Sequence, residues 1–212
     1  MNQFDKHLKT VNACQICSSG FSRSPNGKNY RFPPLIGAIG HASILFVGIN
    51  PRISGSNKVL HERLLNSEES FRLLACNRLE DGSPYISLKA TERHYHSHML
   101  IVEGVFGSEC PFEAKAAVTE LFLCASMNAP SLWQTKSVCA ERFLKTSISL
   151  VEPKVIVAVG ATVRKHLKKH FDQMLAIPLV EMEHPRFHFN LTLSERRKRL
   201  RSTIDAIKNL AK

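Results

Sequence analysis

The chain has 212 residues, 43% of them apolar, and carries a formal charge of +11 from 29 Lys and Arg against 18 Asp and Glu. That size suits one domain with a real core, no apolar run approaches the roughly 18 residues that would cross a bilayer, and MNQFDKHLKT lacks a signal peptide's apolar stretch, so a cytosolic protein is expected. The charge points to a polyanionic partner, most economically nucleic acid, or to no more than a solvated cationic face, and six cysteines in a reducing compartment mean metal ligation or burial rather than a disulfide framework.

Residues 1–42 are rich in Ser, Gly, Pro and Asn with little apolar periodicity, which predicts an irregular segment that something must tie down. Cys14-Gln15-Ile16-Cys17 is the candidate, as a redox dithiol, half a zinc site or half an iron–sulfur site. Ile44-Leu45-Phe46-Val47, closed by Gly48-Ile49-Asn50-Pro51, reads as a buried parallel strand, and its carboxyl end is where α/β sheets hold ligands. Gly48 admits a close approach, Pro51 fixes φ and Asn50 presents one acceptor and two donors; an ordinary tight turn uses the same residues. Val59–Leu79 predicts a helix or two short ones. In HYHSH, His94, His96 and His98 would share one face of a strand and suit a metal. On a helix only His94 and His98 would, and a polar helix face is the plainer reading.

Phe112–Ala117 is predicted as a short helix and Val118–Ala125 as a second buried strand, followed by a stretch containing Trp133 and Lys136. A helix over Cys139–Leu150 exits at Pro153, and Val155–Gly160 is the least ambiguous strand. Val163–Phe171 turns Arg164, Lys165, Lys168 and Lys169 outward, to meet phosphates or water. A fourth strand, Ile177–Met182, ends at Glu183-His184-Pro185-Arg186-Phe187-His188, and a helix over Ser194–Leu210 has Ser194 as its N-cap. Strands alternating with helices argue for a single α/β domain over 1–212 with a parallel sheet covered on both faces. Asn50 and His184 then converge on one sheet edge.

Three separated features resemble the uracil-DNA glycosylase superfamily: GINP at Gly48–Pro51 in the spelling of its mismatch-specific branch, His184-Pro185 after the last strand, and the cysteine pattern of its iron–sulfur branch. In that pattern Cys14 and Cys17 are joined by Cys124 and, fourteen intervening residues on, Cys139, which opens a helix running into EPKVIVAVG. The resemblance implies a three-layer α/β/α sandwich around a four-stranded parallel sheet. It implies a monomeric, monofunctional glycosylase that hydrolyses the N-glycosidic bond of uracil or another deaminated base flipped out of DNA, in base excision repair at the bacterial nucleoid.

By the same resemblance, Asn50 positions the attacking water and His184 donates to the developing oxyanion of the base. Gly48, Ile49, Pro51 and Glu120 line the base, and Arg52, Lys136, Pro185, Arg186, Phe187 and His188 meet DNA, the last three as a wedge. Cys14, Cys17, Cys124 and Cys139 would hold a structural 4Fe-4S cluster, with zinc as its rival, leaving Cys76 and Cys110 as ordinary buried residues. The chain departs from the iron–sulfur branch at Asn50, where an acid is usual, at Arg52 in place of Gly, at Arg186 in place of Ser, and at Glu120, where a base-reading Asn is expected. Those departures favour the alternative of a catalytically weak relative that binds DNA or damaged bases without efficient excision. A third reading keeps the fold and drops DNA, as a metal-stapled α/β enzyme for a nucleotide.

Overall fold

In the computed structural model, residues 2–14, 32–49, 67–86, 89–123, 139–171 and 176–211 are described. At the centre lies strand β2 (Ile44–Gly48), whose Ile44, Leu45, Phe46 and Val47 have no solvent exposure at all. Its apolar run is continuous because both faces are covered. Ile44 and Phe46 enter one core, while Leu45 and Val47 enter another on the opposite side of the sheet.

Around β2 run β3 (Ala116–Glu120) on one side and β4 (Val155–Val159) on the other, with β5 (Leu179–Met182) beyond β4, all mutually parallel. The sheet has five strands rather than the expected four. The extra one, β1 (Ile36–Gly37), is antiparallel and pairs Ile36 with Val118 on the far side of β3. A two-residue strand leaves no period in the sequence to read.

One face is covered by α1 (Gln3–Asn12), α2 (Glu68–Ala75), α5 (Lys145–Val151, entered through a π-turn at Ala140–Leu144) and α6 (Ala161–Phe171). The other is covered by α3 (Lys89–Phe106), the single turn α4 (Phe112–Lys115) and α7 (Leu193–Leu210). This is the three-layer α/β/α arrangement. No helix among the described residues is long and apolar enough to cross a membrane.

The N-terminal segment is not irregular throughout, as expected from its composition. Phe4, Leu8 and Val11 recur at helical spacing and bury one face of α1, whose Asn2 cap accepts the Asp5 N–H at 2.8 Å. At the other end of the chain the cap of α7 is Thr192, not Ser194. Thr192 and Glu195 form a reciprocal capping box, a Thr-x-x-Glu signal that starts the helix two residues earlier than its apolar stripe suggests.

Candidate functional site

Because β2 to β5 are parallel, their carboxyl ends share one edge, and across that edge stand Glu120, Gly48, Gly160 and His184 in the order β3, β2, β4 and beyond β5. Glu120 pairs in register with Gly48 and leans over it, so that a Cβ added to Gly48 would fall inside the Glu120 carboxyl group. From the opposite flank His184 leans onto Gly160, its Cβ 3.5 Å from where a Gly160 Cβ would lie. Gly160 makes the turn from β4 into α6 at φ +93°, a conformation that favours glycine. The absence of a side chain at Gly48 and at Gly160 thus gives room at this edge to a carboxyl group and an imidazole respectively.

The local sequence fixes the imidazole. His184 is the N-cap of a 3-10 turn, Pro185–His188, with Pro185 at its first position, and its Nδ1 accepts the Arg186 backbone N–H at 3.2 Å. A ring nitrogen that accepts a hydrogen bond carries no proton, so the proton of the neutral ring sits on Nε2 and makes that atom a donor. Behind it are more rings: His94 lies 6.1 Å from His184 and 5.8 Å from His98, which packs edge-on against Phe46 at 4.7 Å. Burial holds His98 neutral, well below the usual histidine range, and repulsion from His94 and His184 adds to the effect.

Glu120 is 9% exposed, and its Oε2 has no hydrogen-bond partner among the described residues. Burial raises its pKa from the ordinary value to about 8, so at neutral pH the group is mostly an un-ionised acid. Tyr85 and Tyr95 sense its charge and are themselves held un-ionised by burial. A Gly48→Ala variant is expected to lose about 1–3 kcal/mol of stability through overpacking against this carboxyl. Denaturant titration of Gly48→Ala, Glu120→Ala and the double variant checks it, since truncating Glu120 should recover much of the loss.

No family model matches the chain, and no curated protein does either. The whole backbone, however, superposes on the crystal structure of wild-type SMUG2 from Pedobacter heparinus, with a TM-score of 0.52 and 15% identity over 99% of both chains. The fold is similar to that of SMUG2.

Within this SMUG2-like fold the sequence-predicted residues divide into three sets. Gly48, Glu120 and His184 come together at one edge, and Ile49 packs against the core beside Gly48. Asn50, Pro51, Arg52, Lys136, Trp133, Cys17 and Cys124 lie outside the described residues. Of the expected DNA contacts after His184, Arg186 and Phe187 are exposed, with the guanidinium 4.6 Å over the Phe187 ring. Pro185, expected only to meet DNA, is buried, and so is His188, which takes it out of the wedge expected of residues 186–188. The ring of His188 is committed to the protein: its Nε2 lies 3.0 Å from Glu183 Oε2 and its Nδ1 2.8 Å from Ser97 Oγ.

Sequence reasoning missed that chain of groups. Glu183 also accepts two bonds from Arg199 on α7, at 3.0 and 3.1 Å, so Ser97, His188, Glu183 and Arg199 tie α3, the 3-10 turn and α7 together behind His184. The order is that of a Ser-His-carboxylate triad, but Ser97 is 1% exposed and meets no substrate. HYHSH is helical, which removes the strand option, and its Ser97 and His98 face the core rather than forming a polar surface. Only the spacing of His188 from Glu183 hinted at the network. Ser97→Ala should cost about 1–3 kcal/mol by leaving His188 Nδ1 buried without its partner, read from the midpoint of chemical unfolding.

Cys139 enters the same core that Cys14 packs against, and neither is in a disulfide among the described residues. No group of three or more His, Cys, Asp or Glu arranged to hold a metal occurs among the described residues. Cys76 is exposed and Cys110 half-buried, contrary to the expectation that both are buried.

Proposed function

We propose that the chain is a DNA glycosylase of the uracil-DNA glycosylase superfamily, acting on uracil or another deaminated base swung out of DNA. The observation that carries this reading is the placement of His184 just past β5, at the carboxyl edge of the sheet, with its Nδ1 accepting the Arg186 backbone N–H so that the proton of the neutral ring is on Nε2. Two further observations support it: GINP follows β2, and the backbone resembles that of SMUG2, itself of this superfamily.

Breaking the bond between C1′ and the ring nitrogen leaves anionic charge on the base and cationic character on the sugar. His184 Nε2–H donates to the carbonyl oxygen that gains the negative charge, and being already oriented it reorganises little in the transition state. Asn50, two residues past Gly48, holds the attacking water through its side-chain carbonyl; a neutral amide positions rather than deprotonates. Phe187, 50% exposed and braced by Arg186, fills the gap left in the stack. Lys165, Lys168 and Lys169, exposed on α6, add cationic surface for the backbone, so affinity for long DNA should fall steeply with salt.

Cys14, Cys17, Cys124 and Cys139 would hold a 4Fe-4S cluster as thiolates, with zinc as the rival occupant. When bound, such a group supplies a covalent staple between the N-terminal segment and the start of the π-turn. The placement of Cys14 and Cys139 on one core face fits that role.

The test is incubation with oligonucleotides containing uracil, hypoxanthine or xanthine, followed by alkali. Alkali-dependent cleavage at one or more of these bases is expected, with none before alkali. Tight binding without cleavage would overturn excision and favour the weak-relative reading.

A further inference from the structure

Strand β5 is the edge strand of the sheet, so the segment that follows it and carries His184 leaves the sheet with a neighbour on one side only. The Met182 carbonyl accepts the Gly160 N–H at 2.8 Å, and there the strand ends. Beyond it the chain turns through Pro185–His188 and runs on to Thr192, with Arg186 and Phe187 exposed at the apex. Segments of this kind are the mobile parts of a fold unless side chains hold them.

Two series of side-chain hydrogen bonds hold this one, and each reaches both α3 and α7. The first passes from Arg199 on α7, through the Glu183 carboxylate and the His188 ring, to Ser97 on α3. A carboxylate only accepts, so the neutral His188 ring carries its proton on Nε2 and receives the Ser97 hydroxyl proton at Nδ1. The second series centres on Arg196, three residues before Arg199 and so on the same face of α7. Its Nε and Nη2 donate to the carbonyls of Leu191 and Phe189 at 3.1 and 3.3 Å, and its Nη1 lies 2.7 Å from Nδ1 of His96 on α3. The first series fastens the residue before His184; the second fastens the far end of the turn. His96 and Ser97 come from HYHSH, so that motif finds its use in this brace. Arg196 is accordingly half-buried, whereas its neighbours Arg197 and Lys198 are exposed.

Resting on the glycosylase reading, we propose that Glu183 and Arg196 are positioning residues, which pin the two ends of the His184 turn to α3 and α7 and so keep the imidazole in the orientation in which Nδ1 accepts and Nε2 donates. Neither touches the base or the water. Their effect on the reaction passes through His184, a donor that stabilises charge best when fixed beforehand. An error of about 1 Å in such a group can cost on the order of 10²-fold in rate.

Two measurements test this on the full-length protein. Glu183 is exposed and Arg196 half-buried, so Glu183→Ala and Arg196→Ala are expected to fold; Arg197→Ala, which removes a cation from the same helix and only the ion pair to Glu103, is the control. The first measurement is the side-chain 15N spectrum of His184, assigned by its loss in His184→Asn and taken at alkaline pH, where imidazoles are neutral. Wild type and Arg197→Ala should show two well-separated nitrogen resonances, one bare and one protonated. In Glu183→Ala and Arg196→Ala the two should draw together as the ring exchanges between tautomers. An unchanged pair overturns the inference whether or not the protein excises a base.

The second is single-turnover excision from a saturating single-stranded uracil oligonucleotide. The rate should fall roughly 10- to 100-fold in Glu183→Ala and Arg196→Ala, while the Kd for an oligonucleotide carrying a non-hydrolysable 2′-fluoro deoxyuridine stays within about twofold of wild type. In a His184→Asn background the same substitutions should add less than about twofold, because the donor they place is gone. Losses that multiply undiminished in that background overturn the route through His184. Absence of excision by the wild-type protein overturns the glycosylase reading, and the nitrogen spectra then decide the inference alone.

Discussion

Replacing His184 by Asn should slow base excision by roughly 10²–10³ with little loss of stability. The asparagine side chain places an acceptor near the position of Nδ1, where it can still receive the Arg186 N–H and cap the 3-10 turn. It cannot reach the position of Nε2. His184→Gln does the reverse: its amide nitrogen extends to the Nε2 position and restores part of the rate, while the cap is lost at a cost of about 1 kcal/mol. Single-turnover excision and chemical unfolding on the two variants therefore separate the donor from the cap. Equal rates for His184→Asn and wild type would remove His184 from the chemistry.

The second large effect is on stability against pH. Glu120 ionises near 4.5 in the unfolded chain and near 8 in the folded one. Between those values the folded state holds one more proton, so stability falls as pH rises, by on the order of 3 kcal/mol at pH 7 relative to a group with no shift. His7, lowered by burial to about 4, and His98, lowered further still, act in the opposite sense. Below about pH 6.5 the unfolded chain gains protons that the folded state refuses, and stability falls with acid. The wild-type protein should be most stable near pH 6.5, and Glu120→Gln should flatten the alkaline limb and leave the acid limb in place. Thermal unfolding of both proteins across this range checks it; parallel curves would show that Glu120 is ionised in the fold.

How much of this was legible in the sequence follows from which signals are local. Buried strands such as Ile44–Val47 and Val155–Val159 are continuous apolar runs ended by glycine, so they were readable to within a residue, and their alternation with helices implied the three layers. The antiparallel β1 has no such signal, and the helix of α1 was obscured by the Ser, Gly and Asn that follow it. The edge location of His184 came from its place just past a strand. The contact between Glu120 and Gly48 could not, because it depends on the pairing of β2 with β3 residue by residue. For the same reason His188 looked like a surface residue: its partners Ser97 and Arg199 are distant in the chain, and only packing of α3 against α7 brings them to it.

A crystal structure with DNA carrying the 2′-fluoro deoxyuridine would test the pocket most directly. The flipped base should lie at the carboxyl edge of the parallel strands, with one carbonyl within hydrogen-bond reach of His184 Nε2. A base bound elsewhere, or DNA seated on the opposite edge of the sheet, would contradict it.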